Sequence, residues 1–185
     1  MRRLPLLAAA GLLLGAAGLL LGAGAARAQD CLQVMAGDPR LSSFVEALNR
    51  TGQAELLHGS GPFTILAPDN GAIARVPVNI RDDLMGSQPG ADVDPVRGPA
   101  VVNAQMIDGR HMAREVEGRD RVTVRTRNGN MLLIQRGADG QYTLVPERGG
   151  FGAGGIRQVE PAHVVQADIP CSNGVVHIVD RVLVR

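Results

Sequence analysis

The sequence contains no lysine, two cysteines and four histidines. The histidines are His58, His111, His163 and His177. No two of them are four residues apart and none neighbours a cysteine, so the ligand spacing of a zinc site is missing. The G-x-S-x-G turn that presents a catalytic serine is missing as well. These absences favour a protein that is not an enzyme and that holds no metal or cofactor.

The charge of the chain is nearly balanced. Without Arg2, Arg3 and Arg27, which lie in a predicted leader, 16 arginines stand against 18 acidic residues. A nearly neutral domain is a poor match for nucleic acid or for an anionic membrane surface, because both favour a basic partner. We attribute the exclusive use of arginine to the composition of the genome rather than to function.

Residues 1–28 have the pattern of a secretory signal peptide. Two arginines precede an apolar run from Leu4 to Leu21, and Ala26-Arg27-Ala28 has the small-x-small pattern of a cleavage site. We expect cleavage after Ala28 and a mature domain, residues 29–185, that is secreted or periplasmic and has no membrane span. The alternative is an uncleaved anchor, since the apolar run is near the lower length limit of a membrane-spanning helix.

The two cysteines, Cys31 and Cys171, predict one disulfide in an exported chain. This bond would tie the start of the mature domain to the residues just before its last strand. Two free thiols, or a bond between chains through Cys31, are the alternatives.

The end of the chain predicts a central strand. Asn173-Gly174 is a turn signal, and Val175–Val184 is rich in β-branched residues. Both faces of this strand are mostly apolar, so we expect it to be covered on both sides. His177 and Asp180 lie on opposite faces, which excludes a catalytic pair formed through this strand alone. A structural hydrogen bond is the expected role of each.

The first half of the mature chain has helical patterns around one short strand. Asp38-Pro39 is a helix start, and the residues that follow it place apolar side chains at helical spacing. A second short helix is predicted over Ala54–His58, and a strand over Phe63–Ala67, stopped by Pro68. Residues 76–100 predict short helical turns joined by an exposed loop, whose acidic residues lack the spacing of a calcium loop.

Strands dominate from Arg121 onward. Turn signals at Asn128-Gly129 and Asp139-Gly140 predict a three-stranded meander, and Val164–Ile169 predicts a further strand. Five arginines near the meander offer a possible contact for acidic polysaccharide, although solvent-facing arginines that prevent strand aggregation are the favoured interpretation. They are Arg119, Arg121, Arg125, Arg127 and Arg136. The G-x-G-x-x-G at Gly150, Gly152 and Gly155 is interpreted as a hairpin loop, because no helix follows it.

Two segments resemble the sequence boxes of the fasciclin (FAS1) domain. The first box, T-V-F-A-P-T-N-x-A-F, is matched by Thr64, Ala67, Pro68, Asn70 and Ala72. The second, S-N-G-V-I-H-V-I-D-x-V-L, is matched by Ser172, Asn173, Gly174, Val175, His177, Asp180, Val182 and Leu183. The boxes are about one hundred residues apart, as in the family. The resemblance implies a single mixed α/β domain, with a β-wedge of two angled sheets and flanking helices.

The Tyr-His pair that the family carries between the boxes is absent. Alignment on Asn103 and Gly109 places Ala104 and Gln105 where tyrosine and histidine usually stand. We expect a locally repacked core, and no function of the family's pair carries over to this chain. The smaller side chains leave two interpretations open: a groove lined by Met106, Ile107, Ile73 and Leu66, or a space that neighbouring side chains fill.

The resemblance implies an interaction module for cell adhesion or for surface or matrix association. Its expected partner is an envelope or matrix protein or a polysaccharide. Asp168 and Ile169 stand where an Asp-Ile pair of animal relatives is associated with receptor binding, so they are the candidate contact residues, although a buried strand isoleucine is the favoured interpretation of Ile169. The alternative function is a carrier for an apolar small molecule such as a carotenoid, bound in the predicted groove.

Overall fold

The structure is a computed structural model that describes residues 28–117, 119, 121–147 and 160–184. Its α-helices are α1 Cys31–Ala36, α2 Ser42–Arg50, α3 Asn70–Arg75, α4 Val78–Met85 and α5 Arg97–Asn103. Its 3-10 helices are Pro39–Leu41, Ala54–His58 and Ala113–Val116. Its strands are β1 Phe63–Pro68, β2 Met106–Asp108, β3 Arg121–Arg125, β4 Met131–Arg136, β5 Tyr142–Glu147, β6 Ala162–Cys171 and β7 Gly174–Val179. The mixed α/β class is therefore confirmed.

Strand β7 lies in the middle of the sheet, as predicted. The described strands follow the order β2-β1-β7-β6-β5-β4-β3. Strand β7 runs parallel to β1 and antiparallel to β6. All six of its residues are buried, which agrees with a strand that is covered on both faces.

The predicted length of the last strand was wrong. Strand β7 ends at Val179, whereas the prediction continued through Val184. Beyond Val179, the amide and carbonyl of Leu183 bond to the side chain of Gln105, at 3.0 and 2.7 Å. A side chain from another part of the fold thus replaces the strand partner that Leu183 would otherwise need.

The β3-β4-β5 meander is confirmed. Among residues 121–147 and 160–184, strand β5 pairs with β6 at Thr143–His163 and Leu144–Ala162. An isolated bridge joins Ile107 of β2 to Thr126, the residue that directly follows β3. The seven-stranded sheet therefore wraps nearly closed.

The wrapped sheet separates two hydrophobic cores. The first lies between the helices and the outer side of β1 and β7, and includes Phe44, Ile65, Met106 and Ile178. The second lies inside the wrap and includes Leu66, Leu132, Leu144 and Val179. Neighbouring residues of one strand enter different cores because successive side chains point to opposite faces.

The helix start at Asp38 is confirmed, but the element differs in detail. The Asp38 carboxylate accepts a hydrogen bond from the Arg40 amide at 2.9 Å, and Pro39 opens a 3-10 turn that leads into α2. The hydrogen bond from the Arg40 side chain lowers the pKa of Asp38. Between residues 76 and 100, the structure has the short helix α4 and the first turn of α5, joined by residues 86–96, in agreement with the predicted helical turns and loop.

The structure contains the Cys31–Cys171 disulfide. It connects α1 to the end of β6, so the first helix of the domain is attached to the central sheet. No helix within the described residues is long and apolar enough to cross a membrane. The predicted signal peptide and the glycine-rich loop around Gly152 lie outside the described residues.

Candidate functional site

Residues 109–115 follow β2 directly and include most of the 3-10 helix Ala113–Val116. This segment crosses the inner side of the sheet, and we call it the strap. The buried Thr64 hydroxyl of β1 donates a hydrogen bond to the Gly109 carbonyl at 2.7 Å. The same hydroxyl accepts one from the His111 amide at 2.8 Å. One side chain of the first sequence box therefore bonds two backbone groups of the strap.

His177 of β7 bonds the strap from the second sequence box. Its Nε2 lies 2.9 Å from the His111 carbonyl, and its Nδ1 accepts a hydrogen bond from the Asp168 amide at 3.1 Å. These partners assign the neutral tautomer with the proton on Nε2. Burial lowers the pKa of His177, an effect opposed by the bond to His111 and by the Asp168 carboxylate. The imidazole therefore acts as a neutral connector between β6, β7 and the strap.

Asp168 makes the third connection to the strap. Its carboxylate accepts a hydrogen bond from the Ala113 amide at 2.8 Å. It lies at an irregularity of β6 between Gln166 and Ile169, and its φ of 60° places it in the left-handed region. A non-glycine residue in this region is uncommon, and aspartate is one of the residues that tolerate it best. The backbone of β6 thus aims this carboxylate at the strap.

The strap also has internal bonds. The Glu115 carboxylate accepts a hydrogen bond from the Met112 amide at 3.1 Å and lies 3.2 Å from Nδ1 of His111. The bond from Met112 lowers the pKa of Glu115. Sequence reasoning did not identify the strap. Its only local signal is the four-residue spacing of His111 and Glu115.

An apolar cavity of about 50 Å³ lies beneath the strap. Its walls come mainly from the inner core, with the strap at one side. Leu66, Ile107, Val124, Ile134, Leu144 and Val164 contribute apolar walls, and His111, Glu115 and Tyr142 are also in its lining. The volume is far below the roughly 300 Å³ at which ordinary small-molecule sites begin.

The groove predicted from the absent Tyr-His pair was wrong. Met106 and Ile73 belong to the outer core, whereas Leu66 and Ile107 belong to the inner core. All four side chains are at most 4% exposed. Because Met106 and Ile107 are consecutive in β2, they point to opposite faces and cannot line one groove.

Gln105 provides the local repacking. Its side chain is 1% exposed and exchanges two hydrogen bonds with the Leu183 backbone, while its amide nitrogen also donates to the Val101 carbonyl at 3.0 Å. Ala104 is buried beside it. The polar group at this position thus attaches the end of the chain to α5 and β2.

Asn173 connects the second box to the start of the domain. Its Oδ1 accepts a hydrogen bond from the Cys31 amide at 2.9 Å, and its Nδ2 donates to the carbonyls of Leu57 and Gly59. The neighbouring Gly174 has no room for a side chain, because a Cβ there would collide with the Phe63 carbonyl and the sulfur of Cys31. The preceding Ser172 donates its amide to the Gln29 carbonyl at 2.9 Å.

The other polar residues of the boxes bond backbone groups as well. The Asn70 side chain accepts from the Ser43 amide at 3.0 Å and donates to the Pro39 carbonyl at 2.9 Å. The Asp180 carboxylate accepts from the His163 amide at 2.7 Å. Ala67 and Pro68 are buried at the end of β1. The described part of the chain contains no cluster of three or more side chains suited to hold a metal ion.

The five arginines near the meander do not form one basic face. Arg121 and Arg125 lie on the outward side of β3, next to the exposed Arg119. Arg127 bonds the Asp108 carboxylate at 2.9 Å and covers the ring of Phe63. Arg136 covers the ring of Tyr142, whose side chain lines the cavity.

The chain belongs to the fasciclin domain family, whose model matches residues 39–185. Protein sll1483 of Synechocystis sp. is 26% identical over 156 residues, which is 84% of this chain and 73% of that protein. Human periostin is 28% identical over 144 residues, and ig-h3, the transforming growth factor-beta-induced protein of Sus scrofa, is 25% identical over 156 residues. These alignments cover 78% and 82% of this chain, but 14% of periostin and 19% of ig-h3.

The fold is also similar to a solved structure, the FAS1 domain pair from the insect cell adhesion molecule Fasciclin I. The TM-score is 0.65 at 14% identity, over 86% of this chain and 52% of that one. This chain therefore spans about half of the solved domain pair. At this level of identity, the similarity establishes the fold.

Proposed function

We propose that this protein is an exported interaction module that contributes to cell adhesion or to surface or matrix association, without catalysis. The observation that carries the proposal is the fold, which is also the fold of a domain pair in an insect cell adhesion molecule. A fold alone does not define a function, so the site must support it.

The arrangement of the box residues supports a binding rather than a catalytic role. Thr64, Asn70, Asn173, His177 and Asp180 all direct their polar atoms at backbone groups of the domain itself. A catalytic group would instead point at a substrate. We infer that these side chains have a structural role and that binding falls to exposed side chains elsewhere on the domain.

Two features support export. The sequence of residues 1–28 has the signal-peptide pattern, and the Cys31–Cys171 bond is of the kind that persists outside the reducing cytoplasm. We propose that the mature domain starts near Gln29 and works in the periplasm or outside the cell. Its partner is an envelope or matrix protein or a polysaccharide.

Asp168 and Ile169 remain the proposed contact residues. The Asp168 side chain is 33% exposed even though one of its oxygens bonds the strap. Ile169 is partly buried and lines a shallow groove of about 340 Å³ together with Val34, Leu41 and Val176. Asp168 therefore offers a partly exposed charge on the strap side of β6, whereas Ile169 lies in the groove beside the core that the helices cover.

A carrier for an apolar small molecule is the second candidate. The apolar cavity beneath the strap favours it, but its volume of about 50 Å³ is too small for a carotenoid. A visible absorption band in the purified protein would favour the carrier, and a colourless protein that binds surfaces would favour the interaction module.

Adhesion can be tested with beads that carry the full chain, recovered from an exporting host. We expect these beads to be retained on the isolated envelope of the source cells, and to be retained less when they carry Asp168→Asn or Ile169→Ala. Val96→Thr is the matched control, since Val96 is 74% exposed and lies outside this region. Retention no greater than that of uncoated beads would contradict the proposal.

A further inference from the structure

The meander has one face that neither core uses. In β3, β4 and β5, Val124, Leu132 and Leu144 point into the inner core. The alternate residues point outward, and direct cross-strand partners share a face. We call these outward residues of the three strands the outer face.

The middle of the outer face is apolar. Directly paired residues of the three strands form rows across this face, and the central row is Thr123–Leu133–Val145. Leu133 and Val145 are partly exposed and belong to neither hydrophobic core of the described residues, and Met131 beside them is 36% exposed. An apolar centre on an otherwise polar surface is a common feature of protein interfaces.

Opposite charges stand at two corners of the outer face. One end row is Arg125–Met131–Glu147, so the arginine and the glutamate lie on β3 and β5, two strand spacings or roughly 10 Å apart. Neither forms an ion pair with another described residue. The other end row is Arg121–Gln135–Thr143. The β3 edge of the outer face therefore carries arginines, whereas the β5 edge carries a glutamate.

We propose that the outer face binds the same face of a second copy of this chain, around a two-fold axis parallel to β4. Rotation about such an axis places β3 of one copy over β5 of the other. Arg125 then faces the partner's Glu147, and Glu147 faces the partner's Arg125, so the symmetry produces the ion pair twice. Leu133 and Met131 of β4 meet their own copies at the centre.

The charges also exclude the other simple two-fold arrangement. In that arrangement the two-fold axis lies between the two faces and runs perpendicular to the strands. It would place Arg121 over the partner's Arg125, and Arg125 over the partner's Arg121. Like charges in direct opposition are unfavourable at an interface. The outer face is self-complementary in one orientation and repulsive in the other.

The size of the outer face predicts a weak dimer. Three strands of five to six residues cover an area of roughly 300 Å², whereas a stable complex buries about 800 Å² on each partner. Association should therefore be favoured where copies are concentrated, as on a surface. This inference deepens the proposed function, because a dimer offers two binding sites and so gains avidity that one domain lacks.

Sedimentation equilibrium of the full chain tests the dimer without any adhesion partner. We expect reversible association between micromolar and millimolar concentration. Arg125→Glu and Glu147→Arg should each weaken it on the order of tenfold, because each change replaces two attractive pairs by two repulsive ones. The double variant Arg125→Glu/Glu147→Arg should return to within about threefold of the original constant, since the pairs are restored with opposite polarity.

Leu133→Lys should abolish association, whereas Val96→Thr, which removes an exposed apolar side chain elsewhere, should leave it unchanged. Thermal melting of each variant confirms that the domain is folded. A chain that stays monomeric at millimolar concentration, an association constant insensitive to Leu133→Lys, or a double variant as weak as the single ones would overturn the proposal. Because adhesion is not part of the readout, the dimer and the adhesive function can each fail alone.

Discussion

The Nε2 atom of His177 lies 2.9 Å from the carbonyl oxygen of His111, although the two residues are 66 positions apart. This bond joins the central strand of the sheet to the strap. With the bonds from Thr64 and Asp168, it attaches the strap to β1, β6 and β7. The strap lies along one side of the inner core, where its residues line the cavity.

The state of His177 predicts a dependence of stability on pH. Burial lowers its pKa in the folded state, whereas in the unfolded chain it titrates near about 6.5. As pH falls below about 6.5, the unfolded chain therefore binds a proton more readily, and the free energy of unfolding decreases until the folded pKa is passed. Above about pH 6.5, His177 is neutral in both states and its contribution to the free energy of unfolding no longer changes with pH.

Urea unfolding between pH 7 and 5 measures this effect. His177→Gln keeps a donor for the His111 carbonyl but does not titrate, so we expect a flatter profile than that of the original chain. Val96→Thr, which changes an exposed residue without adding or removing a titratable group, is the control and should keep the original slope. Parallel profiles for the original chain and His177→Gln would contradict the neutral, buried state of His177.

Thr64→Val should loosen the strap. It keeps the shape of the side chain but removes the hydroxyl that bonds Gly109 and His111, at an expected cost of about 1–3 kcal/mol. Hydrogen exchange should accelerate at the His111 amide. Thr64→Ser keeps the hydroxyl and should retain slow exchange, so equal exchange rates in the valine and serine variants would show that the hydroxyl does not hold the strap.

Asp168 predicts a series of three variants. Asp168→Ala should destabilise the domain by about 2–4 kcal/mol. The Ala113 amide loses its hydrogen-bond acceptor, and alanine tolerates the left-handed backbone conformation less well than aspartate does. Asp168→Gly removes the acceptor but permits the backbone, and should cost less. Asp168→Asn keeps a hydrogen-bond acceptor and also tolerates the left-handed conformation, so it should change stability least. Chemical denaturation measures the order of stability of the three variants. An Asp168→Asn variant as unstable as Asp168→Ala would contradict the expected order.

Gln105→Leu should destabilise the domain by about 2–4 kcal/mol, because it leaves the buried amide and carbonyl of Leu183 unpaired. Gln88→Leu, at an exposed position, serves as the control and should have little effect. The two free energies of unfolding, measured in denaturant, should differ clearly. If they are equal, the Gln105 bonds do not contribute to stability.

The features that the sequence predicted well depend on local signals. The N-cap at Asp38, the strand at the end of the chain and the hairpins of the meander each follow from a few neighbouring residues. The strap could not be predicted in this way, because Thr64, Asp168 and His177 reach it from 45 to 66 positions away. The bonds of Gln105 to Leu183, 78 positions away, were equally hidden, and they hold the residues that follow the end of the last strand. The incorrect groove has a different cause, since the alternation of Met106 and Ile107 along β2 already excludes a shared face.

The proposed function requires this chain to act outside the cytoplasm as an oxidised, folded binding domain. Mass spectrometry of the non-reduced protein from fractionated source cells tests this directly, because one spectrum reports both the first residue and the state of the cysteines. The account predicts a chain that begins at Gln29, carries the Cys31–Cys171 bond and is recovered from the periplasm or the medium. A chain that begins at Met1, has free thiols and is recovered from the cytoplasm would contradict it.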